Sequence, residues 1–578
     1  RDRSPSRGLG DVYKRQVFPV FCFAFVATCS AAEPPALLKV NQSGYQSQGQ
    51  KLAVIPGKNQ HTFQLVALPS GKMVFKGRSS EAQLWAPAGE TVSIADFSQV
   101  QTNGRYRLEV AGYAPVELQI AAQPYAQLHD AAIKAYYFNR ASQQLDPAYA
   151  SVWARPAGHP DNQIKIHASA ASASRPTGTV VQSPKGWYDA GDYNKYVVNS
   201  GITTYTLLDA WTDFKDFYRE RQWTIPESGN NMPDLLDEVL WNLDWLSTMQ
   251  DPADGGVYHK LTNLNFDGTV MPHQAVAERY LVQKTTAASL NFAAVMAKAS
   301  KVLSEFEAQQ PGKAALFRQQ AIQAWQWASK NQAIYYQQPK DVSTGAYGDQ
   351  HLADEFSWAA AELYLLTGEQ PYLQQFFQLA QPAQTASWAS VAALGYFSLA
   401  KQANRLTPEQ HQLVFSAITK VADKFVAQHQ ASAYKVAMVA EDFVWGSNAV
   451  AMNKAILLYK ANQITPKAAY LQAMQGLVDY VLGRNPLDLS YITGFGIKSP
   501  QHIHHRPSEA DGIQAPVPGW LAGGAQPGQQ DKCQYSSKLP AKSYADDYCS
   551  YASNEIAINW NAPLVYMLAA FSQPIPTP

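Results

Sequence analysis

Apolar residues recur with two different periods along the chain, and the period changes near Pro124. Between Leu38 and Ile120 it is two. Phe63-Gln-Leu65, Tyr106-Arg-Leu108-Glu-Val110 and Val116-Glu-Leu118-Gln-Ile120 each set apolar side chains on one face, separated by turn residues such as Pro69-Ser70-Gly71 and Asn103-Gly104. This predicts a small antiparallel β-sandwich of about 85 residues, spanning 35–122. Beyond Pro124 the period is helical. Phe292, Val295, Met296, Ala299, Val302 and Leu303 form one face of an amphipathic helix that opens near Thr285. A second helix is predicted to start with Pro233 in its first position and to carry Leu236, Val239, Leu240, Leu243 and Leu246. A third ends at Leu366 with Gly368 as its cap. Many such helices without alternating strands predict a large all-α domain over 125–573. Helical hairpins closed into a barrel are expected rather than a solenoid, since no fixed-length repeat is found.

Composition narrows the partners. The 578 residues include 46 Lys+Arg and 46 Asp+Glu, so the formal net charge is zero, and 46% are hydrophobic against 16% charged. Such a chain buries a sizeable core and lacks the profile of a disordered protein. With no long basic run, it lacks the electrostatic footprint of nucleic-acid binding or of adhesion to anionic membranes. An uncharged partner is expected. The 14 Trp, 31 Tyr and 23 Phe supply flat faces of the kind that hold sugar rings, with ordinary core packing as the competing reading.

Val17 to Ala27 is an apolar run preceded by Lys14 and Arg15 and followed by Cys29-Ser30-Ala31-Ala32. It is too short to span a bilayer but has the three regions of a secretory signal peptide, with cleavage expected near Ala31 or Ala32. Lipidation at Cys29 is the weaker reading, because Thr28 is unusual just ahead of a lipidated cysteine. Arg1–Gln16 has no interpretable pattern and reads as a non-native leader, so 1–32 is set aside as leader plus signal peptide. No other segment approaches a membrane span, so the mature protein is expected to be soluble and exported to the periplasm or medium. Cys533 and Cys549 then remain, sixteen apart. In an exported protein that spacing favours a disulfide, with free thiols as the alternative, and without a flanking CxxC it does not make a zinc site.

Three constellations carry candidate chemistry. Trp187-Tyr188-Asp189-Ala190-Gly191-Asp192-Tyr193 places two carboxylates three apart around a glycine, where they can share one water and activate it as a nucleophile. Metal ligation and a solvated turn are the other readings. Glu555 opens the apolar stretch Ile556-Ala557-Ile558, where desolvation raises a carboxyl toward the range of a general acid. The alternative is a first-turn charge at a helix start. Ile503-His504-His505-Arg506 supplies donors for sugar hydroxyls, or is a surface loop with incidental histidines.

Together these motifs resemble glycoside hydrolase family 9, the inverting cellulases, with an N-terminal immunoglobulin-like domain. The likeness runs from LLKVNQSGYQSQGQKLAVI at Leu38 through GWYDAGDYNKYVVNSGI, ADEFSWAAAELYLLTG, WGSN, YVLGRNPLDLSYITGFG and HIHHR to SYASNEIAINWNAPLVY. The resemblance implies an (α/α)6 barrel acting on β-1,4-glycosidic bonds of cellulose or related β-glucans, most simply as an endoglucanase. An exo-acting β-glucosaminidase or β-glucosidase on the same fold is the alternative, and a carbohydrate-binding protein without catalysis is disfavoured because all three acids are present. It assigns Asp192 as general base, Asp189 as its partner in holding water, Glu555 as general acid, and Asp546, nine residues before Glu555, as a further active-site acid. His504 and Arg506 are expected to bind substrate, and Trp445 and Tyr551 to contact sugars. No cofactor is expected for the chemistry. Calcium is common in the family, with ligands that cannot be named from sequence. Three positions depart from the common pattern. Lys498 stands where Asn is more frequent, no Cys lies between Ser30 and Lys532, and the segment from Gly158 to Pro176 resembles a bacterial subgroup that includes exo-acting members.

Overall fold

The computed structural model describes residues 36–573; the leader, the signal segment and the lipidation site at Cys29 lie outside the described residues. Strands between Ala36 and Ala121 build the N-terminal module, and the first long helix begins at Ala126. A five-stranded sheet runs in the order Tyr45–Gln46, Val116–Ala121, Gly104–Val110, Thr62–Leu68, Met73–Arg78, and faces a three-stranded sheet of Leu52–Pro56, Glu90–Asp96 and Gln83–Trp85. Phe63, Leu65, Tyr106, Leu108, Leu118 and Ile120 fill the space between them, as period two requires. The three-stranded sheet is apolar on both faces for a different reason. Ala53, Ile55 and Ala95 point into the sandwich, whereas Leu52, Val54, Val92 and Ile94 join the core of the helical domain. Trp85 packs 4.6 Å from the Tyr434 ring, and buried Asn41 donates to Asp479 Oδ1 at 2.8 Å.

The helical domain is an (α/α)6 barrel. Its six inner helices are Val197–Asp213, Thr286–Leu303, Ala353–Thr367, Ala392–Lys401, Ser447–Ile464 and Ile558–Ala570. They are buried nearly all round, so the one-faced helix expected from Phe292 to Leu303 is corrected: Thr286–Leu303 buries every residue except Lys301. A helix enclosed by neighbours has no solvent face for the period to mark. Outer helices behave as amphipathic helices should. Lys313–Lys330 buries only Phe317, Ala321, Ala324 and Ala328, and Pro408–Ala431 turns Val414, Ile418, Ala422, Phe425 and His429 inward. Caps sit where local chemistry demands. Thr285 accepts from Ala288 N, and Gly368 closes the third inner helix in the left-handed region. Pro233 lies one residue outside its helix, extended at ψ 131°, and Asp234 takes the first position. The sequence showed no strands in this domain, yet five short ones (Val180–Val181, Ile164–Ile166, Arg279–Leu281, Lys260–Asn263, Lys195–Tyr196) form a small mixed sheet beside the barrel mouth. At two to four residues each, they are too short to display a period. Among the described residues no helix is long and apolar enough to cross a membrane.

Most aromatics serve the core: Trp187, Trp211, Trp245, Trp358 and Trp520 are fully buried. Their abundance therefore reports on packing more than on sugar binding.

Candidate active site

The Trp187–Asn194 turn leads into the strand Lys195–Tyr196 and then the first inner helix, and this continuity aims its acids at the barrel mouth. Asp189 is held at both backbone ends: its N–H donates to Asn194 O at 3.0 Å and its carbonyl accepts from Ile558 N at 2.9 Å. Its carboxylate accepts from Asn199 Nδ2 at 3.1 Å to each oxygen and from Tyr347 OH at 3.0 Å. Burial pushes Asp189 well above the ordinary carboxylate range, and the nearby Asp192 charge adds to the shift.

Asp192 faces the opening. Its Oδ2 accepts from Asn194 N and Tyr196 OH, each at 3.3 Å, and from Asn194 Nδ2. Among the described residues no donor reaches Oδ1, which leaves that oxygen for a water in the cleft. Gly191 between the acids is dictated by close approach, because a Cβ there would lie 2.3 Å from His504 O.

Glu555 is not a first-turn charge. It follows the short Tyr551–Asn554 helix in extended conformation, bridges backbone to His504, and precedes the last inner helix by two residues. Its Oε1 accepts from Gly191 N at 3.2 Å, so the turn carrying the base also touches the acid. Burial pushes the Glu555 carboxyl well above its ordinary range, and Asp192 raises it further. A carboxyl that retains its proton beside one that faces water is the division of labour general acid and base need.

His504 stacks 4.8 Å from the Tyr548 ring, and its Nδ1–H donates to Tyr548 O at 2.6 Å. Burial lowers its pKa, so the ring is neutral with Nε2 free to accept. Arg506 ties two walls together: Nη1 donates to Gly191 O at 2.9 Å and Nε to Asp267 O at 3.0 Å. Trp445 is 42% exposed and packs 5.4 Å from Tyr551. Asp546 points elsewhere. It accepts from Gln501 N and His502 N, at 2.8 and 2.9 Å, and from Asn554 Nδ2 at 3.1 Å, and so joins the histidine loop to the helix before Glu555 without lining the cleft. Cys533 and Cys549 are disulfide-bonded. Just before that stapled loop Asp531 Oδ2 accepts from Tyr535 OH inside it at 2.7 Å and from Ala552 N beyond it at 2.8 Å, which fixes the helix that presents Tyr551.

These groups surround a cavity of about 870 Å³ lined by Asp192, Glu555, His504, Arg506, Trp445 and Tyr551. Asp189, 1% exposed, lies behind it. The same walls include Tyr347, Trp388, Phe266 and Trp560, which sequence reasoning missed. Tyr347 reaches Asp189 across 158 residues, so no local pattern announces it. Asn194, at the end of the acid-bearing turn, and Asn199, in the first turn of the helix Val197–Asp213, were within view, since buried small amides there are placed to make hydrogen bonds.

A barrel cleft with a water-facing carboxylate, a proton-retaining carboxyl held to the same turn and aromatic walls defines a glycoside hydrolase that works by acid–base catalysis. Comparison with known proteins agrees. Residues 125–568 match the model for glycosyl hydrolase family 9, and 33–114 match the cellulase N-terminal ig-like domain. The chain belongs to glycosyl hydrolase family 9. It is 42% identical over 551 residues to a xyloglucan-specific endo-β-1,4-glucanase of Bacteroides ovatus, covering 93% of this chain and 94% of that protein. It is 33% identical to endoglucanase D of Acetivibrio thermocellus, over 92% of this chain and 83% of the relative. A solved Bacteroides ovatus family 9 structure superposes with TM-score 0.88 at 40% identity, covering 93% and 98% of the two chains.

Proposed function

We propose that the protein is an exported endo-β-1,4-glucanase that inverts anomeric configuration, with xyloglucan as its preferred polymer. The observation that carries endo action is the form of the cleft. Its rim keeps Trp445 42% and Phe266 47% exposed, with Tyr347 and Trp388 on further walls, so several rings of a neutral chain have faces to stack against. The xyloglucan assignment rests on the relative at 42% identity. Glu555 delivers its proton to the glycosidic oxygen as the C1–O bond breaks. Asp192 Oδ1 takes a proton from a water that attacks C1 from the opposite face, leaving Glu555 ionised and Asp192 protonated until solvent resets both. Asp189 holds the turn and keeps Tyr347 in place. Export rests on the Val17–Ala27 run and its flanks. The test is side-by-side digestion of tamarind xyloglucan and carboxymethylcellulose. Rapid viscosity loss ahead of reducing-end release, faster on xyloglucan, is expected; a monosaccharide as sole early product would instead favour an exo-glycosidase.

Calcium has a candidate place. Asp354 and Glu355 lie in the first turn of the third inner helix and Asp349 four residues before it; Glu355 Oε1, Glu355 Oε2 and Asp349 Oδ2 are buried without a hydrogen-bond partner, while Asp354 Oδ2 accepts from Val391 N at 2.8 Å. Burial, then the neighbouring Asp354 and Asp349 charges, push Glu355 well above its ordinary range. A hard divalent cation with oxygen ligands would relieve that crowding and tie down the segment after Tyr347. Exhaustive chelation should lower the melting temperature by several degrees, restored by added calcium. An unchanged melting temperature, with no calcium in the untreated protein, would dismiss the site.

A further inference from the structure

The loop 343–347 lines the cleft and touches both aspartates. Tyr347 OH donates to Asp189, and Gly345 N donates at 3.1 Å to Tyr196 OH, which in turn donates to Asp192. Tyr347 sits at φ 48°, a left-handed conformation that costs about 1 kcal/mol or more for a non-glycine residue and persists only where surroundings impose it. Nothing in the loop's own sequence does so.

Gln338 Nε2 and Thr262 Oγ1 hold Thr344 at 2.7 and 2.6 Å, and the next two carbonyls are held by a pair of buried side chains on the strand Lys260–Asn263 and just before it. Lys260 and His259 are both fully buried. Lys260 Nζ donates to Gly345 O at 2.6 Å and Thr344 Oγ1 at 3.0 Å, beneath the rings of Tyr196 and Tyr336 at 5.5 and 5.4 Å. His259 Nε2 lies 2.8 Å from Ala346 O, and a carbonyl only accepts, so Nε2 carries the hydrogen. Its Nδ1 must then accept from the Thr285 hydroxyl at 3.0 Å, while that hydroxyl itself accepts from Ala288 N as the cap of the second inner helix. Two consecutive loop carbonyls are thus fastened to the barrel frame, one through an ammonium and one through a neutral imidazole. Burial pushes Lys260 down to about 7 and His259 to about 3. Among the described residues Asp192 is the one charge that opposes the Lys260 shift.

We infer that Lys260, with His259, is a positioning residue for catalysis: it clamps loop 343–347 in the conformation that aims Tyr347 and, through Gly345, Tyr196 at the aspartate pair. Losing the clamp releases Tyr347 toward an ordinary backbone conformation and loosens the hydrogen bonds that orient Asp189 and Asp192. Lys260 does not itself line the cleft, but Tyr347 does, so the loss should fall more heavily on turnover than on binding.

A double-mutant cycle tests this, with kcat and KM on a cello-oligosaccharide and the melting temperature recorded for each variant. Lys260→Met should lower kcat on the order of 10- to 100-fold, with a smaller fold-change in KM, as small misplacements of catalytic groups do. In a Tyr196→Phe/Tyr347→Phe background, where the loop no longer reaches the aspartates, the same substitution should cost less than threefold. Should Lys260→Met fail to fold, Thr344→Val removes one anchor and must show the same loss of coupling at smaller amplitude. Equal fold-losses in both backgrounds, a kcat within twofold of wild type, or a loss confined to KM would overturn the inference.

Discussion

The two ends of the barrel both bury aspartates in or next to the first inner helix and treat those aspartates differently. At the mouth, where the inner helices begin, Asp189 and Glu555 have no cation bonded to their carboxylates, and burial drives both pKa values up. At the far end, where the same helices finish, Asp209 pairs with Lys298 at 2.8 Å and Lys460 at 2.6 Å, and Asp213 with Lys460 and Lys401. There the ammonium groups overcome burial and hold Asp209 far below the ordinary range. The first inner helix makes the contrast within one element, since Asp189 and Asp192 precede its start and Asp209 and Asp213 close its end. Lysines also suit helix C-termini, whose dipoles favour positive charge. Burial alone therefore does not mark a functional acid. Nor does the absence of a paired cation, since Glu362 at the far end is also buried, unpaired and raised; the acids at the mouth are set apart by meeting the cleft, which Asp192 and Glu555 line.

If that division is right, substitutions at the two ends should fail in different ways. Asp192→Asn and Glu555→Gln each remove a proton transfer and should lower kcat by about 10²–10⁴-fold or more with the fold intact. Asp189→Asn should be less severe, since its carboxylate orients and does not transfer. Either of the first two within tenfold of wild type would refute the assignment.

Asp209→Leu should do the reverse. Stranding Lys298 in the interior should cost about 3–5 kcal/mol in urea unfolding, while kcat of the folded variant stays within twofold of wild type. A kcat loss with stability unchanged would show that the far end takes part in catalysis.

The smallest effect concerns pH and stability. Glu555 has a folded-state pKa above its unfolded value, so its contribution to stability is intact below the unfolded pKa of about 4.3 and is lost as pH rises through the folded one. Glu555→Gln removes that loss. Its melting temperature should match wild type near pH 4 and exceed it increasingly toward pH 8; parallel curves would mean the carboxyl is not perturbed.

The mouth was far more legible in sequence than the far end. Asp189, Gly191 and Asp192 declare themselves within four residues, and Glu555 by its apolar surroundings, because a turn and a desolvated acid are local facts. The sandwich was legible wherever one face meets water, as at Tyr106–Val110. Helix positions followed from their caps, but not which helices are inner, since a helix enclosed on all sides loses the period that would identify it. Lys260, His259 and Tyr347 stayed hidden for another reason. Lys260 bonds to Gly345 across 85 residues and Tyr347 to Asp189 across 158, and only the packed barrel brings them together. The adjacent His259 and Lys260, between Val257-Tyr258 and Leu261, were the one available hint. Asp546 shows the converse: the family resemblance implied an active-site acid, whereas its carboxylate accepts from backbone N–H groups of the histidine loop.

The roles of Asp192 and Glu555 meet in a single observable, the configuration of the first product. A base that activates water from one face while an acid protonates the leaving oxygen on the other requires inversion. Proton NMR of the anomeric signals during the first minutes of hydrolysis of a β-1,4-glucan oligosaccharide, before mutarotation, should show α-product appearing first. Initial β-product would mean that Asp192 attacks the sugar directly, and it would contradict the assignment of Asp192 as a base acting on water.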